Sequence, residues 1–244
     1  MKRNAADGLF TKSSMLNTIT TPILQVALDC VHLAKARQLA EILEQELSGL
    51  TYLCEAGTPL IKNEGLKNAI PALKTIVGKS TKIVADLKTL DTGALEVELA
   101  HKAGADIVGI SGAAGCETID AALSKAKECK MPILIDSIST ENIKGRLDWI
   151  IERIKSYNQQ DGLAIVEYHI PIDAQKKSRD FSPIREICTQ SGIPVAAAGG
   201  LDENSIPEIL DYGAKICVVG GAITRPDNRS TRKAIRKIRD TIYR

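Results

Sequence analysis

Residues 82–112 read KIVADLKTLDTGALEVELAHKAGADIVGISG and contain one strand–helix–strand unit. The runs KIVADLK (82–88) and DIVGISG (106–112) are apolar almost throughout, as is typical of parallel strands covered on both faces. The segment between them has apolar residues three and four positions apart, which indicates an amphipathic helix. Gly104 stands where that helix must end before the next strand begins. The stretch therefore predicts one βα unit of a parallel sheet.

Six further strands follow from the same pattern, and they are 24–29, 52–57, 132–138, 163–170, 194–200 and 215–221. Eight βα units of about 25–30 residues each match a closed barrel better than an open doubly wound sheet. An open sheet rarely needs eight equivalent units without a longer connection. The sequence therefore predicts the α/β class and a (β/α)8 TIM barrel of the phosphate-binding type. We expect residues 21–244 to form this single domain and residues 1–20 to be a polar N-terminal extension.

The composition excludes several classes of function. The net charge of +2 is too small to indicate a nucleic-acid or anionic-membrane partner. No run approaches the roughly 18 apolar residues that span a bilayer, and residues 1–20 lack the apolar core of a secretory signal. The six cysteines form no C-x-x-C pair, which favours buried thiols in a reducing compartment over zinc or disulfides. We expect a cytoplasmic protein.

The C-terminal helix STRKAIRKIRDTIYR is rich in Lys and Arg, which could indicate a nucleic-acid or membrane contact. The alternative is that Ile235, Ile238 and Ile242 face the barrel while the cations face water. The whole-chain charge favours the second interpretation.

Titratable side chains stand at the ends of five predicted strands. They are Asp29, Glu55, Asp86, Lys88, Asp136 and His169. A strand must end somewhere, so one or two charges there could be accidental. Because functional groups of such barrels come from the C-terminal ends of the strands, we expect these side chains to form one site. Asp136 is placed among its substrate-binding residues.

Asp86 and Lys88 are two residues apart on one strand, so both side chains should leave the same face. If Asp29, Glu55, Asp86 and Asp91 all reached the pocket, they and Lys88 would leave three net negative charges. Like charges about 4 Å apart repel by roughly 4 kcal/mol at an effective dielectric near 20. Either some carboxylates bind protons or a cation is present. Glu55 and Asp86, on adjacent strands, are the candidate ligands of Mg²⁺ or Mn²⁺.

The last two predicted strands end in Gly199-Gly200 and Gly220-Gly221. Barrels often bind phosphate there, because glycine lets backbone N–H groups approach a ligand closely. The alternative is that these pairs are only tight turns. His169 is the one histidine at a predicted strand end and is the candidate acid/base. A phosphate at one side of the site and a metal with Lys88 at the other suggest enediolate chemistry on a phosphorylated sugar or hydroxyketone.

Several stretches resemble the orotidine 5′-phosphate decarboxylase superfamily, over about residues 22–242. They are LQVALD, EAGTPLIKNEG, ADLKTLDTGALEVELAHKAGADIV, EYHIPIDAQ, IPVAAAGG and KICVVGGAIT. Within the superfamily they are most similar to the 3-hexulose-6-phosphate synthases, with the 3-keto-L-gulonate-6-phosphate decarboxylases as near relatives. The D-x-K-x-x-D stretch with its flanks is the specific part.

The resemblance implies a role for each candidate residue. Glu55 and Asp86 would be metal ligands, Lys88 would stabilise the enediolate, Asp29 would contact substrate and His169 would handle protons at the reacting carbons. The two glycine pairs, Gly199-Gly200 and Gly220-Gly221, would hold the phosphate. Asp91 would reach the neighbouring subunit's site, which implies a homodimer with shared active sites.

The implied reaction is a reversible aldol addition of formaldehyde to ribulose 5-phosphate. Ile172 stands where the decarboxylase pattern has an arginine, which favours the synthase. The stretches 111–118 and 135–140 and the dipeptide Ile170-Pro171 depart from the family pattern, so the substrate could differ.

Four alternatives stay open. One is decarboxylation of a sugar-acid phosphate, and another is binding of a phosphosugar without catalysis. A Schiff-base aldolase would need Lys88 to be neutral, which the nearby aspartates oppose. An epimerase would need a histidine set of the zinc type, which the sequence lacks.

Overall fold

A computed structural model describes residues 21–138, 143–159, 163–176, 179–225 and 227–243. Eight parallel strands pair in sequence order, and β8 pairs with β1 to close the barrel. The strands are β1 Ile23–Leu28, β2 Tyr52–Ala56, β3 Lys82–Thr89, β4 Ile107–Ser111, β5 Ile133–Asp136, β6 Ala164–His169, β7 Val195–Ala198 and β8 Ile216–Val219. The predicted (β/α)8 barrel and all eight predicted strands are confirmed. Residues 1–20 lie outside the described residues.

Helices follow the strands around the outside of the barrel. They are α1 Leu33–Glu46, α2 Thr58–Glu64, α3 Leu66–Lys74, α4 Gly93–Ala103, α5 Cys116–Glu128, α6 Ile143–Gln159, α7 Pro183–Ser191, α8 Ile206–Asp211, α9 Gly221–Thr224 and α10 Asn228–Ile242. Gly104 ends α4 with a φ of 91°, as the sequence predicted. No helix in the described part of the chain is long and apolar enough to cross a membrane.

The core has two parts because successive strand residues point to opposite sides of the sheet. Side chains such as Leu53, Val84 and Ile165 fill the barrel interior, and a larger cluster lies between the strands and the helices. Towards the C-terminal end the interior residues become small, as with Ala27 on β1 and Ala198 on β7. The apolar filling therefore gives way to open space where the polar strand ends lie.

Helix α10 packs on the outside of the barrel beside α1. Ile235, Ile238 and Ile242 are buried, which confirms that the apolar stripe of this basic helix faces the core. On its outer side Arg232 and Arg236 both bind the carboxylate of Glu46, at 2.8 and 2.6 Å. At least two of the helix's cations are thus engaged within the fold.

We expect Ile238→Ala to lower the free energy of unfolding by about 2–4 kcal/mol, because a fully buried aliphatic side chain would leave a cavity. Urea unfolding followed by circular dichroism measures the change. Lys233→Ala, on the exposed face of the same helix, is the control and should stay within about 0.5 kcal/mol of the wild type. Equal losses in both variants would contradict the packing of α10.

Candidate active site

A cavity of about 720 Å³ opens at the C-terminal ends of the strands. Five of the predicted side chains line it together with both glycine pairs, and they are Asp29, Glu55, Asp86, Lys88 and His169. The structure thus brings together residues from six different strand ends. Asp136 is buried behind the wall of the cavity. Asp91 is exposed, and its Oδ1 accepts a hydrogen bond from the backbone N–H of Thr92.

Lys88 occupies an irregular position near the end of β3. The pairing of β3 with β4 shifts register between Asp86 and Thr89, and Lys88 has a φ of 48°. This left-handed conformation is costly for a residue with a side chain. The bulge nevertheless leaves Asp86 and Lys88 on the same cavity, as the spacing predicted.

The Lys88 ammonium lies between two carboxylates. Its Nζ is 2.9 Å from Oδ2 of Asp86 and 2.7 Å from Oδ2 of Asp136. Burial alone would lower the pKa of Lys88, but the charges of Asp86, Asp136 and Glu167 raise it above its ordinary range. Lys88 therefore stays charged, so it is suited to stabilising an anion and not to acting as a neutral nucleophile.

Asp136 joins Lys88 to His169. It is buried, its Oδ1 accepts from the backbone N–H of Ile138, and its Oδ2 lies 3.0 Å from Nδ1 of His169. Burial would raise the pKa of Asp136, but its bonds to His169 and Lys88 lower it. We therefore interpret Asp136 as the anionic partner of these two cations, and its contact with substrate stays a prediction.

Ser137 and Ser139 follow β5 within the stretch 135–140 that departs from the family pattern. Ser137 is fully buried, and its Oγ accepts a hydrogen bond from the backbone N–H of His169. It therefore supports the end of β6. Ser139 lies outside the described residues.

Glu55 is a deeply buried carboxylate that lines the cavity. Burial and the charges of Asp86 and Asp29 raise the pKa of Glu55 well above its usual range. Burial and the charge of Asp86 also raise the pKa of Asp29. The repulsion expected from the sequence is therefore present in the fold.

The residues around Glu55 and Asp86 fit a hard divalent cation. Lys88 and Thr58 contact Oδ2 of Asp86, and the side-chain amide of Gln25 donates to Oε2 of Glu55. Within the described part of the chain, the buried Oε1 of Gln25 has no hydrogen-bond partner. An unpaired buried acceptor beside repelling carboxylates is the kind of group that a metal-bound water would satisfy.

The two glycine pairs line the opposite side of the cavity. Gly199 and Gly200 have φ values of 117° and 74°, which favour glycine. A Cβ at Gly199 would lie 2.5 Å from the carbonyl oxygen of Ile170, so packing against the β6 loop already requires a glycine there. The tight-turn interpretation thus accounts for Gly199 without a ligand.

Two arginines that the sequence did not single out also line this side. Arg179 donates to the carbonyl oxygen of Gly200 at 2.9 Å, and Arg225 lies beside Gly221. Both guanidinium groups border the same cavity. A pair of guanidiniums beside exposed glycine backbone is a suitable environment for a phosphate group.

Sequence reasoning also missed Glu167 on β6. It was hidden inside the apolar run LAIVEYHI, yet it stands two residues before His169 and so points to the same face. The two-residue spacing that linked Asp86 with Lys88 could have revealed it. Arg179 and Arg225 lie in loops, where no periodicity marks them.

Comparison with known proteins agrees with this geometry. Residues 22–238 match the family model described as "Orotidine 5'-phosphate decarboxylase / HUMPS family". The chain belongs to this family.

Named relatives lie within the same group. A "3-hexulose-6-phosphate synthase" of Bacillus subtilis is 33% identical over 82% of this chain and 90% of the relative. A "Bifunctional enzyme Fae/Hps" of Methanospirillum hungatei is 39% identical over 83% of this chain, which spans only 49% of that longer relative. A crystal structure titled 3-hexulose-6-phosphate synthase superposes with a TM-score of 0.76 at 32% identity, covering 90% of this chain and 99% of that one.

We expect Glu55 to make the metal-free protein less stable as the pH rises. Its folded pKa is raised above the ordinary 4.5, so the folded protein keeps a proton that the unfolded chain has released. The free energy of unfolding should therefore fall as the pH rises from 4.5 towards the raised pKa. Glu55→Gln should reduce this fall, as measured by urea unfolding at several pH values with a chelator present.

Glu41→Gln, at an exposed position on α1, is the matched control and should behave as the wild type. Adding Mg²⁺ should stabilise the wild type more than Glu55→Gln. An unchanged pH dependence together with an equal Mg²⁺ response in Glu55→Gln would contradict this description of the site.

Proposed function

We propose that the chain is a lyase of the aldolase type, which condenses formaldehyde with ribulose 5-phosphate to give 3-hexulose 6-phosphate, or catalyses the reverse reaction. The names of the relatives support the substrate pair. The observation that carries the proposal is the charged Lys88, held between Asp86 and Asp136 at the cavity surface. A fixed ammonium group is what an enediolate needs while its negative charge develops.

The lining of the cavity suits a phosphorylated pentulose. Its phosphate would lie by Gly200 and Gly221, where Arg179 and Arg225 supply positive charge. The reactive end would then extend towards Lys88 and His169. Asp29, beside Gly220 at the first strand, would accept hydrogen bonds from sugar hydroxyls.

Glu55 and Asp86 would hold a divalent ion, Mg²⁺ or Mn²⁺. When bound, that ion would offset the negative charge of the enediolate. The positive charge of Lys88 would also stabilise the enediolate. His169 would transfer protons at the reacting carbons. Ile172, which is exposed and lines the cavity, contributes no cation at the place where the decarboxylase pattern has arginine, which supports the synthase.

The direct test mixes the purified protein with Mg²⁺, ribulose 5-phosphate and formaldehyde and follows loss of formaldehyde. We expect consumption that stops when a chelator is added. Turnover of 3-keto-L-gulonate 6-phosphate in place of formaldehyde would instead favour the decarboxylase. Binding of the pentulose phosphate with neither reaction would favour a phosphosugar-binding protein.

We expect Lys88→Ala and Asp86→Asn each to lower kcat/KM by at least about 10²-fold, as loss of a preorganised charge in an active site does. Circular dichroism should show an intact barrel in both. Lys67→Ala, at an exposed position on α3, is the matched control and should keep wild-type activity. Covalent trapping of the pentulose on Lys88 by borohydride would contradict the role of Lys88 as a charged stabiliser.

A homodimer is part of the proposal, and the surface near Asp91 supports it. Leu90, Leu95 and Leu99 are large apolar side chains, and they are 63%, 53% and 42% exposed. Leu95 and Leu99 are four residues apart on α4 and therefore share a face. A partner subunit seated on this face would bury these leucines and receive Asp91 at its own cavity.

Mixed dimers test the sharing of sites. We expect Asp91→Ala and Asp86→Asn to be nearly inactive alone and to regain activity when mixed after subunit exchange. Half of the dimers would then be mixed, each with one complete site, so recovery should reach about a quarter of wild-type turnover. No recovery, with mixed dimers verified by native mass spectrometry, would place Asp91 in its own subunit's site or outside the chemistry.

A further inference from the structure

Glu167 is a buried carboxylate within the barrel that the chemistry above does not use. It lies on β6 two residues before His169, is 4% exposed and borders the floor of the cavity. Neighbouring positions inside the barrel, such as Leu134 and Ile165, are apolar. A buried carboxylate among apolar side chains is costly unless it is paired.

The partner of Glu167 is the imidazole of His169. Nδ1 of His169 lies 3.2 Å from Oε1 of Glu167 and 3.0 Å from Oδ2 of Asp136. A single ring nitrogen thus faces two carboxylates, one from its own strand and one from β5. Ionised carboxylates can only accept, so contact with two of them requires Nδ1 to carry a hydrogen.

We propose that Glu167 is a positioning residue that, together with Asp136, fixes the Nδ1–H of His169 and keeps its imidazole charged at neutral pH. Nδ1 makes both carboxylate contacts, so Nε2 is the ring nitrogen that can serve a ligand in the cavity. This inference rests on the proposed function for the identity of the reaction, but the charge state of His169 does not depend on it.

The surrounding charges are consistent with an imidazolium. Asp136 and Glu167 carry two negative charges, and Lys88, 2.7 Å from Asp136, supplies only one positive charge. A charged His169 makes this group of four neutral. Asp29, directly after β1, also interacts electrostatically with His169 and adds to the negative potential around it.

Burial would lower the pKa of His169, but its hydrogen bonds to Asp136 and Glu167 raise it to about 10. Burial and the charge of Asp136 raise the pKa of Glu167, and the bond to His169 opposes that rise. The same bond therefore favours the charged forms of both partners.

A charged His169 defines the direction of its proton transfer. In the addition, a carbon–carbon bond forms while the π bond of formaldehyde breaks and leaves an alkoxide. The Nε2–H bond of His169 then breaks and an O–H bond forms, which leaves a neutral imidazole. The proton that left the pentulose carbon when the enediolate formed passes to solvent, and a proton from solvent restores the imidazolium, so no proton is gained or lost over the cycle.

The test is a pH titration of His169, monitored by NMR of the imidazole rings in the intact protein without substrate. The chain has only three histidines, so His169→Asn identifies the resonance of interest. We expect His169 in the wild type to titrate well above the ordinary 6.5, near the value of about 10. Glu167→Gln, which keeps the size of the side chain, should lower that pKa by about one unit or more.

Glu41→Gln is again the control, and it should leave the titration of His169 unchanged. In the aldolase assay, the basic limb of the pH–kcat profile should move to lower pH in Glu167→Gln by a similar amount. A structural role alone would lower stability without moving that limb.

A wild-type His169 that titrates near 6.5 would overturn the proposal, even if Glu167→Gln failed to fold. An unchanged titration in a folded Glu167→Gln variant would overturn it as well, and would leave the aldolase assignment intact. If His169 behaves as expected but formaldehyde is not consumed, the positioning role stands and the proposed reaction fails.

Discussion

The rest of the site depends on the ammonium group of Lys88, held between the carboxylates of Asp86 and Asp136. The two contacts fix Lys88 in a bulge whose left-handed backbone would otherwise be unfavourable by about 1–3 kcal/mol. Removing either aspartate would leave the partly buried Lys88 ammonium with one carboxylate partner in place of two, which would be destabilising. The strained strand end is therefore maintained by the same interactions that keep Lys88 charged.

From Lys88 the charges alternate across the cavity floor. Asp136 connects Lys88 to His169, and Glu167 makes a second carboxylate contact with Nδ1 of the His169 imidazole. On the other side, Asp86 and Glu55 repel each other, and Lys88 contacts Asp86. The negative charges of Asp136 and Glu167 are thus neutralised by Lys88 and a protonated His169. Glu55 and Asp86 form the other half of the site, which is suited to a divalent ion. In the proposed reaction, this asymmetry would separate His169, which transfers protons, from Glu55 and Asp86, which hold the ion.

The barrel could be predicted because its signal is local and repeated. Eight apolar runs, each followed by a helical segment, allow few other arrangements, and the carboxyl ends of parallel strands must meet at one mouth. The sequence could not reveal that Asp136 pairs with Lys88, since 48 residues separate them, nor that β3 bulges. Arg179 and Arg225 come from loops whose paths depend on tertiary packing. The C-terminal helix begins earlier than the quoted stretch STRKAIRKIRDTIYR, because the side chain of Asp227 caps α10 by accepting hydrogen bonds from the backbone of Arg229 and Ser230.

The central claim is that Glu55 and Asp86 hold a divalent cation beside Lys88 while the two glycine loops hold the phosphate. A crystal structure of the protein with Mg²⁺ and ribulose 5-phosphate tests it most directly. The account predicts an ion bound by Glu55 and Asp86, a sugar oxygen near Lys88, and the phosphate beside Gly200 and Gly221. An ion bound elsewhere in the cavity, or a phosphate at the acidic side, would contradict it.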